Sequence, residues 1–312
     1  MSTTDPHPGA AGLAAPPRQP QRLVYLGTPD MAVPPLQALH EAGFDVALVV
    51  TGADKRRGRG STATPTPVKD AALELGLSVS HDLADVPRVH ADLGVVVAYG
   101  QILRRPLLEQ LAMVNLHFSL LPRWRGAAPV EQAILAGDSH TGVCVMALEE
   151  GLDTGGVYAC EEIPITPTIT AVDLGRQLTA IGSILLVQTL REGLGPARAQ
   201  VGEPTYAHKI GPANLRLRWE NPAVELDRVV RVGGAWTTRQ GRRLKVHAAR
   251  PFPAEAGLGM PGELHGDRVT TAAGTLQLIE VQPEGKARTA FGSWANGARP
   301  ADGEPLGLEA TS

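Results

Sequence analysis

Arg22-Leu23-Val24-Tyr25-Leu26, followed by Gly27-Thr28-Pro29-Asp30, is the stretch that decides the fold. Five mostly apolar residues before a Gly-Thr-Pro turn read as a buried strand, and Asp30 is a fair N-cap for a helix. Val33, Leu36 and Leu39 then recur at helical spacing, and Gly43 can end that helix. Residues 44–51 form a second apolar run. Strand, helix and strand together make a βαβ unit, so a doubly wound, mostly parallel α/β sheet with a Rossmann-like course is expected. The turn holds Gly27 but no Gly-x-Gly-x-x-Gly, so a dinucleotide site is unsupported.

The pattern continues outward. Leu93-Gly94-Val95-Val96-Val97-Ala98-Tyr99 reads as a strand buried on both faces, Gly100 ends it, and Pro106 opens a short helix. Residues 111–116 form the next strand. At its end Asn115 and His117 stand two apart, on one face of an extended chain. Pro122 breaks the strand, Arg123-Trp124-Arg125-Gly126 turns, and Pro129 can start a helix over 129–136. Open α/β sheets bind ligands beyond the carboxyl ends of their strands, where this amide and imidazole project. On those two residues alone a packed or capping histidine is the commoner outcome, so the neighbours matter. After a strand over 141–148, Glu149-Glu150-Gly151-Leu152-Asp153-Thr154-Gly155-Gly156 sets an Asp between glycines that allow close backbone approach. Residues 157–165 are strand-like. A helix is expected over 170–190, with Leu174, Leu178, Ile181, Leu185 and Val187 as its buried stripe.

With 312 residues, 43% of them apolar, the chain can bury two cores. Its net charge of −3 gives no general attraction to nucleic acid, so any such surface is local. Two segments are locally basic. The loop over 52–67 carries Lys55, Arg56, Arg57 and Arg59, and its length suits either a solvated surface or a clamp on a phosphate-bearing partner. Residues 209–250 hold ten Lys/Arg against three Asp/Glu. Short alternating runs over 243–248, 261–264, 268–272 and 275–281 suggest a small OB-like β-barrel, and a basic barrel suits a nucleic-acid-binding accessory. The expected organisation is a disordered tail over 1–20, a catalytic domain over 21–193, a Gly/Pro/Ala-rich linker over 194–206 and the barrel over 207–312. Cys144 and Cys160 are too few for a disulfide framework or a zinc cluster, and small buried hydrophobes in a reducing cytosol are expected. No apolar run approaches the roughly 20 residues of a membrane span, and the first 20 residues lack the apolar core of a signal peptide, so a cytoplasmic protein is expected.

A set of motifs runs in order along the chain: Leu26-Gly27-Thr28-Pro29, Thr66-Pro67-Val68-Lys69, Val97-Ala98-Tyr99-Gly100 with Ile102-Leu103, and Asn115-x-His117-x-Ser119-Leu120-Leu121-Pro122-Arg123-Trp124-Arg125-Gly126-Ala127-Ala128-Pro129. Gly151-Leu152-Asp153-Thr154-Gly155 and Gln282-Pro283-Glu284-Gly285-Lys286 complete the set. Taken together, these motifs resemble the methionyl-tRNA formyltransferase family, and the similarity runs over about residues 20–308. The Asn-x-His-x-Ser-Leu-Leu-Pro and Leu-Asp-x-Gly pair is specific to formyltransferases that use 10-formyltetrahydrofolate. The Arg-Trp-Arg-Gly-Ala-Ala-Pro extension favours the tRNA branch. The resemblance implies direct transfer of a formyl group from 10-formyltetrahydrofolate to the α-amine of methionyl initiator tRNA by a monomer, without a metal or a covalent enzyme intermediate. It implies that Asn115 holds the formyl oxygen, His117 stabilises the developing oxyanion, and Asp153 orients His117 and assists proton transfer. It places Ser119, Leu120, Leu121, Pro122, Tyr99, Ile102, Leu103, Gly151 and Leu152 at the folate. It puts Lys55, Arg56, Arg57 and Arg59 at the acceptor stem, and Lys209, Arg242 and Arg243 on the tRNA face of the barrel. This sequence departs from the family pattern at Phe118, where Gly is usual, at Gly52-Ala53-Asp54, and at Gly233-Gly234.

Three rivals share parts of this pattern. An amino-sugar N-formyltransferase or a formyltetrahydrofolate hydrolase would use the same Asn, His and Asp but give no use to the basic barrel. A non-catalytic tRNA-binding relative would have lost one of the three. A serine-hydrolase reading of Ser119 lacks the Gly-x-Ser-x-Gly elbow.

Overall fold

The strand, helix and strand expected at the start of the chain are present: β1 (Arg22–Gly27), α1 (Val33–Glu41) and β2 (Asp45–Val50). The computed structural model describes residues 12–56, 63–256 and 258–308. These fall into two compact units. One takes in the residues up to 130 with 140–164 and 174–208; the other takes in 131–139, 165–173 and those from 209 onward.

The first unit is built on one sheet. Its further strands are β3 (Val79–Ser80), β4 (Leu93–Val97), β5 (Met113–His117), β6 (His140–Ala147) and β7 (Val157–Pro164). The order is β7-β6-β5-β4-β1-β2-β3. The five strands from β5 to β3 run parallel, while β6 lies antiparallel to both β5 and β7. β4 is fully buried, as its β-branched run requires. On one side Val24, Leu26, Leu48, Val50, Val96, Tyr99, Leu103 and Met113 form a core against which Leu13 packs.

Local signals explain most element boundaries and correct some. Thr66 caps α2 (Pro67–Glu74), accepting from the Lys69 N–H at 3.2 Å. Asp30 is not an N-cap: it opens a 3-10 turn, Asp30–Ala32, and α1 starts behind it without a side-chain cap. The loop over 52–67 is not continuous either, since Lys55–Arg56 pairs antiparallel with Ala63–Thr64. Helix α3 (Ala171–Glu192) buries Leu174, Leu178, Leu186 and Leu190, an i, i+4 row, whereas Ile181, Leu185 and Val187 are half-buried. The small Gly182 and Ser183 complete the buried face, and an apolar count passes over them. Residues 12–20 pack against the unit, Ala14 donating to the Leu108 carbonyl at 3.0 Å.

The cysteines are the clearest correction. Cys144 and Cys160 form a disulfide. β6 and β7 pair with Cys160 directly opposite Cys144, and the Cα atoms lie 4.1 Å apart, so both sulfurs fall within bonding reach. Cys144 is buried and Cys160 is exposed.

The second unit is an antiparallel, nearly closed sheet. Its strands are β8 (Trp236–Arg239), β9 (Arg242–Phe252), β10 (Glu263–His265), β11 (Arg268–Thr270), β12 (Thr275–Pro283), β13 (Thr289–Ala290) and β14 (Glu304–Pro305). The order is β8-β9-β12-β11-β10-β14, with β13 on β12. Register shifts around Ala248 bend the long strand β9. Leu217, Trp219, Leu244, Val246, Leu264, Val269, Leu276, Leu278 and Val281 fill its core, closed by Leu226 and Val230 of helix α4 (Ala223–Val232) and by Phe291. The expected barrel is therefore present.

Candidate active site

β5 lies between β4 and β6, and its register sets what surrounds the Asn and the His. Asn115 stands between Val96 and Met146, and His117 lies opposite Cys144. The two side chains share one face of the strand. Asn115 is half-buried and His117 is buried. Phe118, just past the end of β5, is buried at 5% exposure and so belongs to the core.

The turn after β5 folds back on His117. His117 Nε2 meets the Trp124 carbonyl at 2.9 Å. A carbonyl only accepts, so Nε2 carries the proton. Nδ1 then faces Asp153 Oδ2 at 3.6 Å. In neutral His117 a lone pair meets the carboxylate; in the imidazolium an N–H does, so one exchangeable proton belongs to this pair. The Gly126 N–H donates to the same Oδ2 at 2.7 Å and fixes the carboxylate. Asp153 has φ 50° and Trp124 φ 60°, two left-handed non-glycine residues at one site.

Two glycines are required here. Gly126 has φ 117°, and a Cβ would lie 2.8 Å from the Ala207 carbonyl. At Gly155 a Cβ would lie 1.9 Å from the Ala147 carbonyl, because the loop that carries Asp153 presses against the end of β6.

The carboxyl ends of three parallel strands, β1, β2 and β4, are tied together. Thr28, after β1, donates to the Tyr99 carbonyl at 3.3 Å and accepts from Gly52, after β2, at 3.2 Å. Tyr99 and Leu103 are buried in the core, and the Tyr99 hydroxyl has no hydrogen-bond partner among the described residues. Burial, then the charge of Asp82, pushes that phenol up, so it stays protonated. Ile102 is 84% exposed and Leu152 is 59% exposed, a large apolar surface left open in two site loops. Gly151 is exposed, whereas Leu120, Leu121 and Pro122 are half-buried. Ser119 is buried and donates to the Arg123 carbonyl at 2.5 Å, so its hydroxyl closes the turn.

The basic candidates are spread over both units. Lys55 and Arg56 lie on the short hairpin, while Arg57 and Arg59 fall outside the described residues. Lys209, Arg242 and Arg243 are exposed on the second unit. The Arg243 guanidinium lies 4.2 Å from the Trp236 ring centre, and Arg216 stacks on the same ring at 5.5 Å. Among the described residues no group of His, Cys, Asp and Glu could hold a metal ion. None of the described helices is long and apolar enough to cross a membrane.

Two residues at this site were not legible in the sequence. Gln200 donates to the Asp153 and Gly155 carbonyls, and Thr205 accepts from the Trp124 N–H. They sit in a Gly/Pro/Ala-rich stretch that carries no periodicity.

Residues 21–190 match the family model described as formyl transferase, and residues 209–299 match that of the formyl transferase C-terminal domain. The chain is 43% identical over 284 residues to methionyl-tRNA formyltransferase of Ruegeria pomeroyi, covering 85% of this chain and 93% of that one. The chain belongs to the methionyl-tRNA formyltransferase family. A further member, from Symbiobacterium thermophilum, is 42% identical over 300 residues, or 88% of this chain and 92% of its own. Among solved structures, methionyl-tRNA formyltransferase from Clostridium thermocellum aligns with a TM-score of 0.53 at 13% identity, covering 75% of this chain and 95% of that one. The N-formyltransferase of Helicobacter canadensis, in complex with folinic acid and dTDP-3-aminofucose, aligns at 0.63 with 16% identity, covering 83% and 99%. At these identities both describe the fold of the family, not the acceptor.

Proposed function

We propose that this formyltransferase moves the formyl group of 10-formyltetrahydrofolate to the α-amine of methionyl initiator tRNA, acting in the cytoplasm as a monomer and giving N-formylmethionyl-tRNA for translation initiation. The observation that carries the reading is the pairing of buried His117 with half-buried Asp153 next to the half-buried amide of Asn115 at the end of β5. Attack by an amine on a formyl carbon gathers negative charge on the formyl oxygen, and preorganised donors stabilise it. Asn115 supplies an amide N–H for that oxygen. The attacking amine must shed a proton, which neutral His117 accepts beside the Asp153 carboxylate, and the imidazolium so formed supplies the positive charge. Ile102 and Leu152 give the flat ring system of the folate apolar surface, with the 119–122 turn, Gly151, Tyr99 and Leu103 shaping the pocket around it. Lys55, Arg56, Arg57 and Arg59 supply phosphate contacts at the acceptor stem, and Lys209, Arg242 and Arg243 supply them from the barrel.

The rival acceptors, an amino sugar or water, share the first part of this scheme and give the basic groups no role. His117→Ala tests the chemistry. Formyl transfer is expected to vanish while circular dichroism and the melting temperature stay close to those of the parent. Substantial remaining transfer would remove His117 from the mechanism.

A further inference from the structure

Residues just before the second unit run along the back of the site. Tyr206–Ala207 pairs in parallel with Arg125–Gly126, and Val157 bridges Arg198. Two side chains of this segment reach the parts of the chain that hold His117 and Asp153.

Gln200 Nε2 donates to the Asp153 carbonyl and to the Gly155 carbonyl, both at 2.8 Å. Its Oε1 accepts from Arg125 Nε at 3.0 Å and Nη2 at 2.6 Å. A carboxamide offers two donors and one oxygen with two lone pairs, so every capacity is used within the protein. Gln200 thus ties the Asp153 loop to the residue preceding Gly126, whose N–H holds the Asp153 carboxylate. Thr205 acts on the other partner. Its Oγ1 accepts from the Trp124 N–H at 2.9 Å, and its carbonyl accepts from the Arg125 N–H at 2.9 Å. The Trp124 carbonyl is the group that His117 Nε2 meets.

Asp153 and Trp124 are both non-glycine residues held in the left-handed region. Such conformations persist only where the surroundings over-determine them. Here one segment does so for both.

We propose that Gln200 and Thr205 are positioning residues for formyl transfer, Gln200 setting Asp153 and Thr205 setting His117. The proposal rests on the reading of His117 and Asp153 as the reacting pair. Neither side chain touches substrate; each acts through the backbone that aims a catalytic group.

Gln200→Glu keeps an acceptor for Arg125 but removes the donor and sets a negative charge toward two carbonyls, so the Thr205 variants serve as the charge-neutral comparison. Thr205→Val removes the hydroxyl at nearly constant volume, and Thr205→Ser restores it. The assay is formyl transfer from 10-formyltetrahydrofolate to charged initiator tRNA, read as kcat, both KM values, the pH profile of kcat and the melting temperature. Gln200→Glu and Thr205→Val are each expected to lower kcat by about 10- to 100-fold, the usual cost of removing an outer orienting group. The KM for the formyl donor should hold, the pH profile should change shape, and Thr205→Ser should recover most of the rate. A lower melting temperature with kcat per folded molecule unchanged overturns the proposal, because the two side chains are then only structural. If Gln200→Glu does not fold, the Thr205 pair decides the question. His117→Ala and Asp153→Asn run alongside. If they are inactive while both test variants work at full rate, the positioning proposal alone falls. If they keep full activity, the reacting pair is wrong and the proposal falls with it.

Discussion

Asp153→Asn separates charge from shape at the site. Asp153 Oδ2 lies 3.6 Å from His117 Nδ1 and 2.7 Å from the Gly126 nitrogen, and the two side chains are 5% and 12% exposed for His117 and Asp153. Asparagine keeps an oxygen for the Gly126 N–H, so the loop should hold its course. What disappears is the negative charge facing His117 Nδ1, where the proposed reaction forms an imidazolium. At an effective dielectric near 20, unit charges at this separation attract by about 4–5 kcal/mol. At about 1.4 kcal/mol per factor of ten, losing all of it costs about three powers of ten in kcat. The assay is single-turnover transfer of labelled formyl to charged initiator tRNA, with the donor affinity measured separately. The donor KM should change little, since the role proposed for Asp153 lies at the reacting end and not at the ring system. An Asp153→Asn rate within about tenfold of the parent would refute the charge argument.

Three other outcomes are expected. Neutralising Arg56, Arg57 and Arg59 together should weaken tRNA binding and flatten its dependence on log salt by about two to three units, about one for each phosphate no longer neutralised; an unchanged slope rules out the clamp. Gly155→Ala should destabilise the first unit by about 1–3 kcal/mol or more in denaturant titration, as overpacking does, because the new methyl lies 1.9 Å from the Ala147 carbonyl; a parent-like midpoint refutes the close approach. Glu304 tests the barrel through pH. Burial alone would raise its carboxyl, but the hydrogen bonds and charge of Arg239, with the Ala301 N–H and Gln240, outweigh burial and hold it below the ordinary range. A depressed carboxyl gives stability that is present above its unfolded value and fades as pH falls through the folded one. Glu304→Gln should therefore cost about 2–3 kcal/mol near neutrality, somewhat under the cost of breaking a fully buried pair. The difference should close in acid, below the ordinary carboxyl range, and a pH-independent difference would contradict this pairing.

Much of the fold could be read from residues because the periodicity was local. The run ending at Leu26, the buried Val95-Val96-Val97 and the Thr66–Pro67 helix start all announce themselves within a few positions. Asn115 and His117 could be paired on one face from spacing alone. Pairings fixed by tertiary register could not be read this way. Cys144 meets Cys160 only because β6 and β7 pair in one particular register. The buried face of α3 depends on Gly182 and Ser183, whose small size matters only against a packed neighbour. Gln200 and Thr205 lie some 47 and 81 positions from the backbone they hold, in a stretch whose Gly, Pro and Ala composition suggests a tether.

The most direct measurement offers the enzyme 10-formyltetrahydrofolate together with initiator methionyl-tRNA, elongator methionyl-tRNA, a nucleotide-linked amino sugar and water as competing acceptors. Formylation confined to the initiator α-amine, and lost in His117→Ala, is the expected result. Transfer to the sugar or to water, with none to tRNA, would contradict the acceptor assignment and leave only the folate chemistry standing.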